Sequence, residues 1–252
     1  MLPEERRMKI VEILHTQGAV KTSELSKLFS VSPFTIRNDL DILAKRGLLK
    51  RTHGGAVVSH EVVFERTHFE KASLHVKEKE KIAKKAVSLV QEHSAIFLST
   101  GTTTLQIAKH LKGKRNLTVL TNSLVVGFEL AADPNINLII IGGTLRPYSY
   151  ALVGPATEQF LQGVYADQFF LGVTGITLQH GLTTPSLAEA SVLQQMIKAA
   201  SETIVVADHS KFGKVAHAKI ADIDQVDLII VDSGIEPAIL EELREHVEVI
   251  VV

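Results

Sequence analysis

The sequence predicts an α/β protein in which a small, mainly helical front domain precedes a larger domain built on a mostly parallel sheet. Two observations support this fold class. Three short amphipathic helices and a Gly-Gly hairpin occupy residues 3–58, whereas residues 75–252 alternate short apolar runs with amphipathic helices. At 252 residues with 45% hydrophobic content, the chain can bury a core in each domain.

The front of the chain predicts three short helices. Pro3 opens the first helix, and Gln17-Gly18 ends it. Thr22 is expected to cap the second helix, which runs to Phe29. A tight connection then leads to the third helix, SPFTIRNDLDILAKRG, so that the three elements form a helix-turn-helix.

The third helix has one apolar stripe and one polar face. Ser32 suits the N-cap and Pro33 the first helical position, and Gly47 is expected to end the helix. The apolar stripe consists of Ile36, Leu40 and Leu43. The opposite face carries Phe34, Asn38, Asp41 and Lys45, with Arg37 on its flank. We interpret Asp41, four residues from both Arg37 and Lys45, as orienting those two cations.

This polar face has the chemistry that a helix in the DNA major groove needs. Thr35, Arg37 and Asn38 supply donors, and Phe34 can touch a thymine methyl. The following LLKRTHGGAVV predicts a two-stranded wing that brings basic side chains to phosphates or a minor groove. The predicted DNA-binding residues are Thr22, Ser32, Phe34, Thr35, Arg37, Asn38, Lys45, Arg51 and His53. The alternative is a three-helix scaffold whose polar face is only solvated.

The segments ELSKLFSVSPFTIRNDL and GLLKRTHGGAV resemble the N-terminal domain of the DeoR family of bacterial transcription regulators, a winged helix-turn-helix. The resemblance covers residues 3–58 and implies that operator DNA is a partner. One position departs from the family, which usually has two adjacent Arg in TIRRDL where this chain has Arg37 and Asn38. Because Asn pairs with adenine while Arg prefers guanine, we expect a different operator base at this position.

Charge and residue usage indicate which partners and which kinds of site the protein can have. Residues 1–58 contain ten Lys/Arg against six Asp/Glu, whereas the rest contains 17 against 22, so a polyanion is expected to meet the front domain. The absence of cysteine excludes disulfides and thiolate zinc sites, and the 11 His lack ligand spacing, so no metal site is expected. No apolar run could span a bilayer and no signal peptide is recognisable, which predicts a cytoplasmic protein without a membrane partner.

Residues 59–74 lack periodicity and are interpreted as a linker, and the rear domain is expected to run from residue 75 to 252. Its first helix lies in HVKEKEKIAKKAVSLV. The predicted strands are Ala95–Leu98, Val119–Leu120, Leu138–Ile141, Phe169–Val173, Thr203–Ala207, Leu228–Val231 and Val247–Val251. The predicted helices between them are Thr103–Leu111, Leu124–Ala132, Ala156–Leu161, Leu187–Ala200 and Pro237–His246. This alternation predicts a Rossmann-like, mostly parallel sheet covered on both faces.

Ligands of such sheets bind outside the carboxyl ends of the strands. The first strand leads into a hydroxyl-rich turn at a helix N-terminus, which suits a phosphate: Ser99, Thr100, Gly101, Thr102, Thr103 and Thr104. The alternative is that these residues serve only as a turn and cap. The turn lacks the lysine of a Walker A loop and the glycine spacing of a dinucleotide loop, so no nucleotide cofactor is expected.

Other predicted strand ends and one turn contribute further polar groups: Asn122, Gly143, Arg146, Thr183, Thr184, Glu189, Asp208 and Lys211. Together they predict a small phosphorylated ligand. Lys211 or Arg146 would supply the counter-charge, and the carboxylates and amide would bind sugar hydroxyls.

The series STGTTT, TNS, GGTLRP, GVTGI, GLTTP and ADHSKFG is similar to the sensor domain of the same DeoR family, over residues 75–252. This resemblance implies a sugar-phosphate-binding and oligomerisation domain with a fold similar to ribose-5-phosphate isomerase. Those isomerases carry an acidic cluster and a lysine where this chain has GVTGIT and GLTTPS, so that only Glu189 remains as a plausible base. An isomerase-like enzyme with an appended DNA-binding domain is therefore the alternative, and a non-enzymatic regulator is expected.

The resemblance thus implies a repressor of a carbohydrate-utilisation operon that a phosphorylated sugar relieves. A homo-oligomer, a dimer or a tetramer, would hold repeated half-sites, and the sugar would favour an arrangement that no longer matches them. The segments GVTGI, GLTTP and ADHSKFG favour the AgaR-like branch, which responds to amino-sugar or related hexose phosphates.

Overall fold

The structure, a computed structural model, describes residues 3–45, 49–57 and 67–252, without the side chains of residues 4, 8, 12, 15–17 and 45. The chain forms two compact units, Met1–Phe64 and Glu65–Val252. The predicted division into a helical front and an α/β rear is confirmed.

The first unit is a winged helix-turn-helix. Its elements are α1 (Pro3–Gln17), β1 (Ala19–Lys21), α2 (Thr22–Phe29), α3 (Pro33–Lys45), β2 (Lys50–Thr52) and β3 (Gly55–Val57). The strands form an antiparallel sheet in the order β1-β3-β2, so the predicted two-stranded wing gains β1 as a third strand. Gly55 pairs with Lys21 on one side and Thr52 on the other. A side chain at Gly55 would overlap the carbonyl of Val20, so this close approach requires glycine.

The start of α3 confirms the predicted cap. The amide of Thr35 donates to Ser32 Oγ at 3.1 Å, and Pro33 is the first helical residue. The predicted stop at Gly47 lies outside the described residues. The predicted cap of α2 is wrong, because α2 begins at Thr22 and Lys21 occupies the N-cap position without a side-chain hydrogen bond.

A buried ion pair joins α1 to α3 in a way that the sequence analysis did not anticipate. Asp39, which is 1% exposed, accepts from Arg6 Nε at 2.6 Å and from Arg7 Nε at 2.9 Å. Its position beside Leu40 and Leu43 places a charge within the apolar side of α3. Two opposite charges in contact offset the cost of removing this carboxylate from water.

The carboxylate of Asp41 pairs with Arg51 Nε of the wing at 2.9 Å, a partner that the sequence analysis did not predict. Arg37, which Asp41 was expected to orient, forms no ion pair with it, and the side chain of Lys45 lies outside the described part of the structure. Arg51 also donates to the carbonyl of Gly55 at 2.8 Å. The wing is therefore fixed to α3 by a side chain that the sequence analysis had assigned to DNA.

The second unit contains the predicted alternation of helices and strands. Its helices are α4 (His68–Ala72), α5 (Val76–Leu89), α6 (Thr102–Leu111), α7 (Leu124–Leu130), α8 (Pro155–Leu161), α9 (Leu187–Lys198) and α10 (Pro237–Arg244). Its strands are β4 (Ala95–Leu98), β5 (Leu117–Thr121), β6 (Ile136–Ile140), β7 (Thr144–Arg146), β8 (Ala151–Val153), β9 (Ala166–Leu171), β10 (Gly175–Thr177), β11 (Gly181–Thr184), β12 (Ala200–Val206), β13 (Ala218–Ala221), β14 (Leu228–Val231) and β15 (Glu248–Val251).

Seven of these strands form one parallel sheet in the order β15-β14-β12-β9-β4-β5-β6. Its two faces belong to separate apolar clusters, because neighbouring residues on a strand point to opposite sides. Phe97 and Phe169 lie in one cluster, and Ile96 and Phe170 lie in the other. The sheet is thus covered on both faces, as predicted.

Two smaller antiparallel sheets flank the large one. β7 pairs with β8, and β10, β11 and β13 form a three-stranded sheet. The segment GLTTP, predicted as a turn, is therefore mostly strand β11.

Part of the predicted linker belongs to the second unit. Residues 67–74 form α4 and the turn after it, whereas residues 59–66 lie outside the described part of the chain. Thr67 and Glu70 close a capping box at the start of α4. The amide of His68 donates to the carbonyl of Tyr148 at 2.9 Å, which fixes α4 to the hairpin of β7 and β8. Within the described ranges, no helix has the length and apolar character that crossing a bilayer would require.

Removing the carboxylate of Asp39 should destabilise the first unit. Asp39→Ala leaves the buried Arg6 without the carboxylate that pairs with it, so we expect a loss of about 3–5 kcal/mol in the free energy of unfolding. Urea unfolding followed by circular dichroism measures this loss. The matched control is Asp41→Ala, an exposed pair on the same helix that should cost no more than about 1 kcal/mol. Equal losses in the two variants would contradict the assigned importance of the buried pair.

Candidate functional site

A cleft opens at the carboxyl end of the large sheet, where the chain reverses its direction of travel across the sheet. From β4 the chain proceeds to β5 and β6, and it then returns to β9 on the other side of β4. Such a reversal leaves a crevice between the loops that follow β4 and β9, which is where ligands of open α/β sheets bind. The cleft has an empty volume of about 690 Å³, part of it open to solvent. Its walls are formed by His68, Lys71, Thr100, Gly101, Thr102, Thr103, Ser149, Gly172, Val173, Thr174, Thr184, Glu189, Leu193, Val206 and Lys211.

The N-terminus of α6 forms the floor of this cleft. The amides of Thr102, Thr103 and Thr104 donate to no described residue, as expected for the first turn of a helix. Gly101 occupies the N-cap position with a φ of 150°, and it brings no side chain that could cover these donors. Three free amides and the positive end of the helix dipole favour an anion here.

The hydroxyls around this turn divide into two groups. The hydroxyls of Thr102 and Thr103 donate to no described residue, and both residues line the cleft. The other three hydroxyls form hydrogen bonds within the protein. Ser99 Oγ accepts from the amide of Gly172 at 2.9 Å. Thr100 Oγ1 donates to the carbonyl of Ser149 at 2.7 Å, and Thr104 Oγ1 donates to the carbonyl of Gly101 at 3.0 Å. The prediction of a hydroxyl-rich ligand turn therefore fits two of the five hydroxyls directly.

Several predicted effector residues do not line the cleft. Asn122 Nδ2 donates to the carbonyl of Leu152, and Thr183 Oγ1 donates to the carbonyl of Gly175. A side chain at Gly143 would overlap Thr157 and Val153, so this glycine serves packing of the β7–β8 hairpin. These three positions support the walls of the cleft instead of facing a ligand.

Glu189 is the centre of a buried network at one wall. It is 3% exposed, and its Oε1 accepts from Ser149 Oγ and, at 3.2 Å, from Arg146 Nη1. Its Oε2 accepts from Thr184 Oγ1 at 3.0 Å. Arg146 thus pairs with Glu189, and its predicted role as the counter-charge of a phosphate stays a prediction. Both oxygens of Glu189 accept hydrogen bonds from the protein, and its role toward sugar hydroxyls stays a prediction.

Cations outnumber carboxylates around the cleft. Four cationic side chains lie in or near its walls, compared with two carboxylates, those of Glu189 and Asp208. The cations are Lys71, Lys79, Lys211 and Arg146. Lys79 is buried, donates to the carbonyls of Lys71 and Leu74 at 2.6 Å each, and has its pKa lowered to about 8 by burial. The remaining charge at the cleft is therefore positive, which again favours an anionic ligand.

Asp208 lies just behind Lys211 and does not line the cleft. Lys211 Nζ is 4.0 Å from Asp208 Oδ2, an oxygen that has no hydrogen-bond partner among the described residues. Burial alone would raise the pKa of Asp208, but the charges of Lys211 and Lys79 and a hydrogen bond from Ser210 lower it overall. The carboxylate is consequently ionised and holds Lys211 near the cleft.

Sequence reasoning missed the contribution of α4. His68 and Lys71 line the cleft, yet both were assigned to the linker. Ser149, in the tight turn between β7 and β8, was also missed. The segment THFE could have predicted the start of α4, because Thr67 and Glu70 have the spacing of a capping box.

The predicted DNA-binding residues of α3 lie on its exposed face. Arg37 and Asn38 are exposed and their side chains form no hydrogen bond or ion pair with a described residue, and Phe34 is 75% exposed. Ser32 and Thr35 are engaged in the helix cap, with 2.9 Å between their hydroxyl oxygens. Among the wing and neighbouring positions, His53 is exposed, Arg51 is held by Asp41, and Thr22 is buried. The side chain of Lys45 is outside the described part of the structure.

Family models match both units. The DeoR-like helix-turn-helix domain matches residues 6–62, and the DeoR C terminal sensor domain matches residues 74–233. Among solved structures, ribose 5-phosphate isomerase A from Methanocaldococcus jannaschii aligns with a TM-score of 0.40 and 20% identity, over 53% of each chain. This structural similarity is too low to indicate an activity.

Curated relatives match nearly the whole chain. An aga operon transcriptional repressor of Escherichia coli O157:H7 is 39% identical over 98% of this chain and 93% of its own length. The transcriptional repressor AccR of Agrobacterium fabrum is 36% identical over 96% and 95%, and the glycerol-3-phosphate regulon repressor of Escherichia coli K12 is 34% identical over 96% of each. These relatives are transcriptional regulators and not enzymes. With both of its domains matched in order, the chain belongs to the DeoR family of DNA-binding transcriptional regulators.

Proposed function

We propose that this protein is a cytoplasmic repressor of a carbohydrate-utilisation operon, and that a phosphorylated sugar bound in the cleft relieves repression. The observation that carries the proposal is the N-terminus of α6, whose three free amides face a cleft with excess positive charge. A phosphate group satisfies these donors and this charge together.

The cleft also suits the remainder of such a ligand. Thr102 and Thr103 offer hydroxyls beside the amides, and Thr174 and Lys211 come from the loops on the other side. The names of two relatives refer to the aga operon and to glycerol 3-phosphate, which supports a small phosphorylated metabolite as the signal.

The exposed face of α3 would read the operator. Arg37 and Asn38 keep their donors free, and a helix of 13 residues fits the major groove with its first turns. A dimer or tetramer would bind repeated half-sites. The effector can then weaken DNA binding only by its preference for one arrangement of the subunits, with a coupling of about 1–3 kcal/mol.

The geometry does not favour the isomerase alternative. Glu189 would have to abstract a proton, but three side chains already donate to its carboxylate. The segment Gly172–Thr177 brings no carboxylate to the cleft. A site with binding groups and no available base serves recognition.

Binding of sugar phosphates should depend on Lys211. A thermal-shift screen of ribose 5-phosphate, glucose 6-phosphate and glucosamine 6-phosphate should reveal stabilisation of the wild-type protein by at least one of them. Lys211→Met removes a charged donor and should raise the Kd of that compound about 10- to 100-fold. The control is Lys219→Ala, which removes an exposed lysine paired with Asp222 and should leave the Kd unchanged. A wild-type protein indifferent to all phosphorylated sugars would refute the proposed signal.

Operator binding should depend on Arg37. Arg37→Ala should cost about 1–3 kcal/mol of specific binding to the DNA upstream of the regulated genes, measured by fluorescence anisotropy. Lys9→Ala, which removes an exposed lysine of α1 paired with Glu5, should change specific and random DNA binding equally. If Arg37→Ala weakened binding to random DNA by the same factor, Arg37 would be a phosphate contact without a role in specificity.

Asn38 should set the preference for one base pair. Asn38→Arg should shift the preferred base at the contacted position from adenine toward guanine, because arginine pairs bidentately with guanine. Selection from a library with a randomised half-site, performed with both proteins, measures the shift. Identical selected sequences would place Asn38 away from the base edges.

A further inference from the structure

His68 is a buried polar residue whose ring interacts with the backbone of Gly101 at the N-cap of α6, an interaction that favours the protonated ring but does not reach the geometry of an ordinary hydrogen bond. The residue is 4% exposed, and neither Nδ1 nor Nε2 has a hydrogen-bond partner among the described residues. The ring lies in the wall of the cleft, next to the N-terminus of α6. A buried ring nitrogen without a hydrogen-bond partner has lost its contacts with water and gained none in return, which destabilises the folded state. Such a cost calls for a compensating role.

The ring is held in a fixed position. It packs edge-to-face against Phe69 and Tyr150, with 6.1 Å between ring centroids in each pair. The backbone of α4 is fixed at one end by the bond from His68 to Tyr148 and at the other by Lys79, which donates to Lys71 and Leu74. Preorganisation of this kind is what a ligand-contacting side chain requires.

The protonation state of the ring limits which groups of a ligand it can bind. Burial, assisted by the positive charge of Lys71, lowers the pKa of His68, so that the imidazole is neutral at pH 7. A neutral imidazole has one N–H donor and one acceptor nitrogen. A phosphate dianion offers only acceptors, whereas a hydroxyl or amino group supplies the donor that the second nitrogen needs.

We propose that His68 recognises the sugar moiety of the effector, by hydrogen bonding to a hydroxyl or amino group while the amides of α6 hold the phosphate. The inference rests on the proposed function and extends it by naming the residue that distinguishes sugar phosphates from phosphate alone. It also makes α4, the first described element after the first unit, part of the effector site.

Isothermal titration calorimetry on the full chain tests the proposal with ribose 5-phosphate, glucose 6-phosphate, glucosamine 6-phosphate and inorganic phosphate. His68→Phe keeps an aromatic ring and removes both nitrogens. It should raise the Kd of the sugar phosphates that bind the wild-type protein roughly tenfold or more, and should leave the affinity for inorganic phosphate unchanged. His68→Gln, which retains a donor and an acceptor, should recover part of the loss. The matched control, exposed His217→Phe, should bind like the wild type.

The stability of the unliganded protein separates recognition from a structural role. Because His68→Phe removes two unsatisfied buried nitrogens, its Tm without ligand should equal or exceed that of the wild type. A lower Tm in both the Phe and Gln variants would assign the ring a structural role and overturn the proposal. Unchanged sugar-phosphate affinity would overturn it while the proposed function stands, and loss of inorganic phosphate binding would place His68 on the anion instead. A wild-type protein that binds none of the four probes would refute the proposed function, and this inference with it.

Discussion

The effector cleft depends on one buried carboxylate. Glu189 stands at the start of α9 and accepts hydrogen bonds from the β7–β8 hairpin, through Arg146 and Ser149, and from the end of β11, through Thr184. Ser149 and Arg146 lie 40 and 43 positions before Glu189 in the chain, whereas Thr184 lies only five positions before it. Because the network joins these segments, it fixes the shape of the wall before any ligand arrives, and loss of the arginine would leave a buried carboxylate without its counter-charge.

The polar groups of the cleft thereby fall into two sets with different duties. One set, Ser99, Thr104 and Glu189, forms hydrogen bonds within the protein and holds the loops in place. Among the described residues, the amides at the start of α6 and the ring nitrogens of His68 have no such hydrogen-bond partners. The loops hold the amides in place, and Phe69 and Tyr150 pack against the ring. A binding site needs both sets, since donors can meet a ligand only where the backbone that carries them is fixed. Arg146 pairs with Glu189 in the wall, whereas Lys71 and Lys211 line the cleft.

Much of this architecture could be predicted from the sequence, and the failures share a physical cause. All seven strands of the parallel sheet were predicted, because a strand buried on both faces is a continuous apolar run such as Leu228–Val231. The hydroxyl-rich turn after β4 was found because the carboxyl ends of strands localise chemistry in advance. In contrast, several partners of Asp39 and Glu189 lie between 32 and 43 positions away in the chain, so local residue spacing could not reveal these contacts. α4 was missed because five residues are too few to show a helical period.

The two faces of α3 place unequal demands on the chain. Asp39 is bound to Arg6 and Arg7 inside the first unit, whereas the side chains of Arg37 and Asn38 are exposed and form no hydrogen bond or ion pair with a described residue. Substitution at Asp39 is therefore opposed by folding, whereas substitution at the two neighbouring positions should cost the fold little and act mainly on the proposed recognition of DNA. After a gene duplication, one copy could consequently acquire a new operator through a few changes on the outer face, with the signal it senses and the stability of its fold left intact.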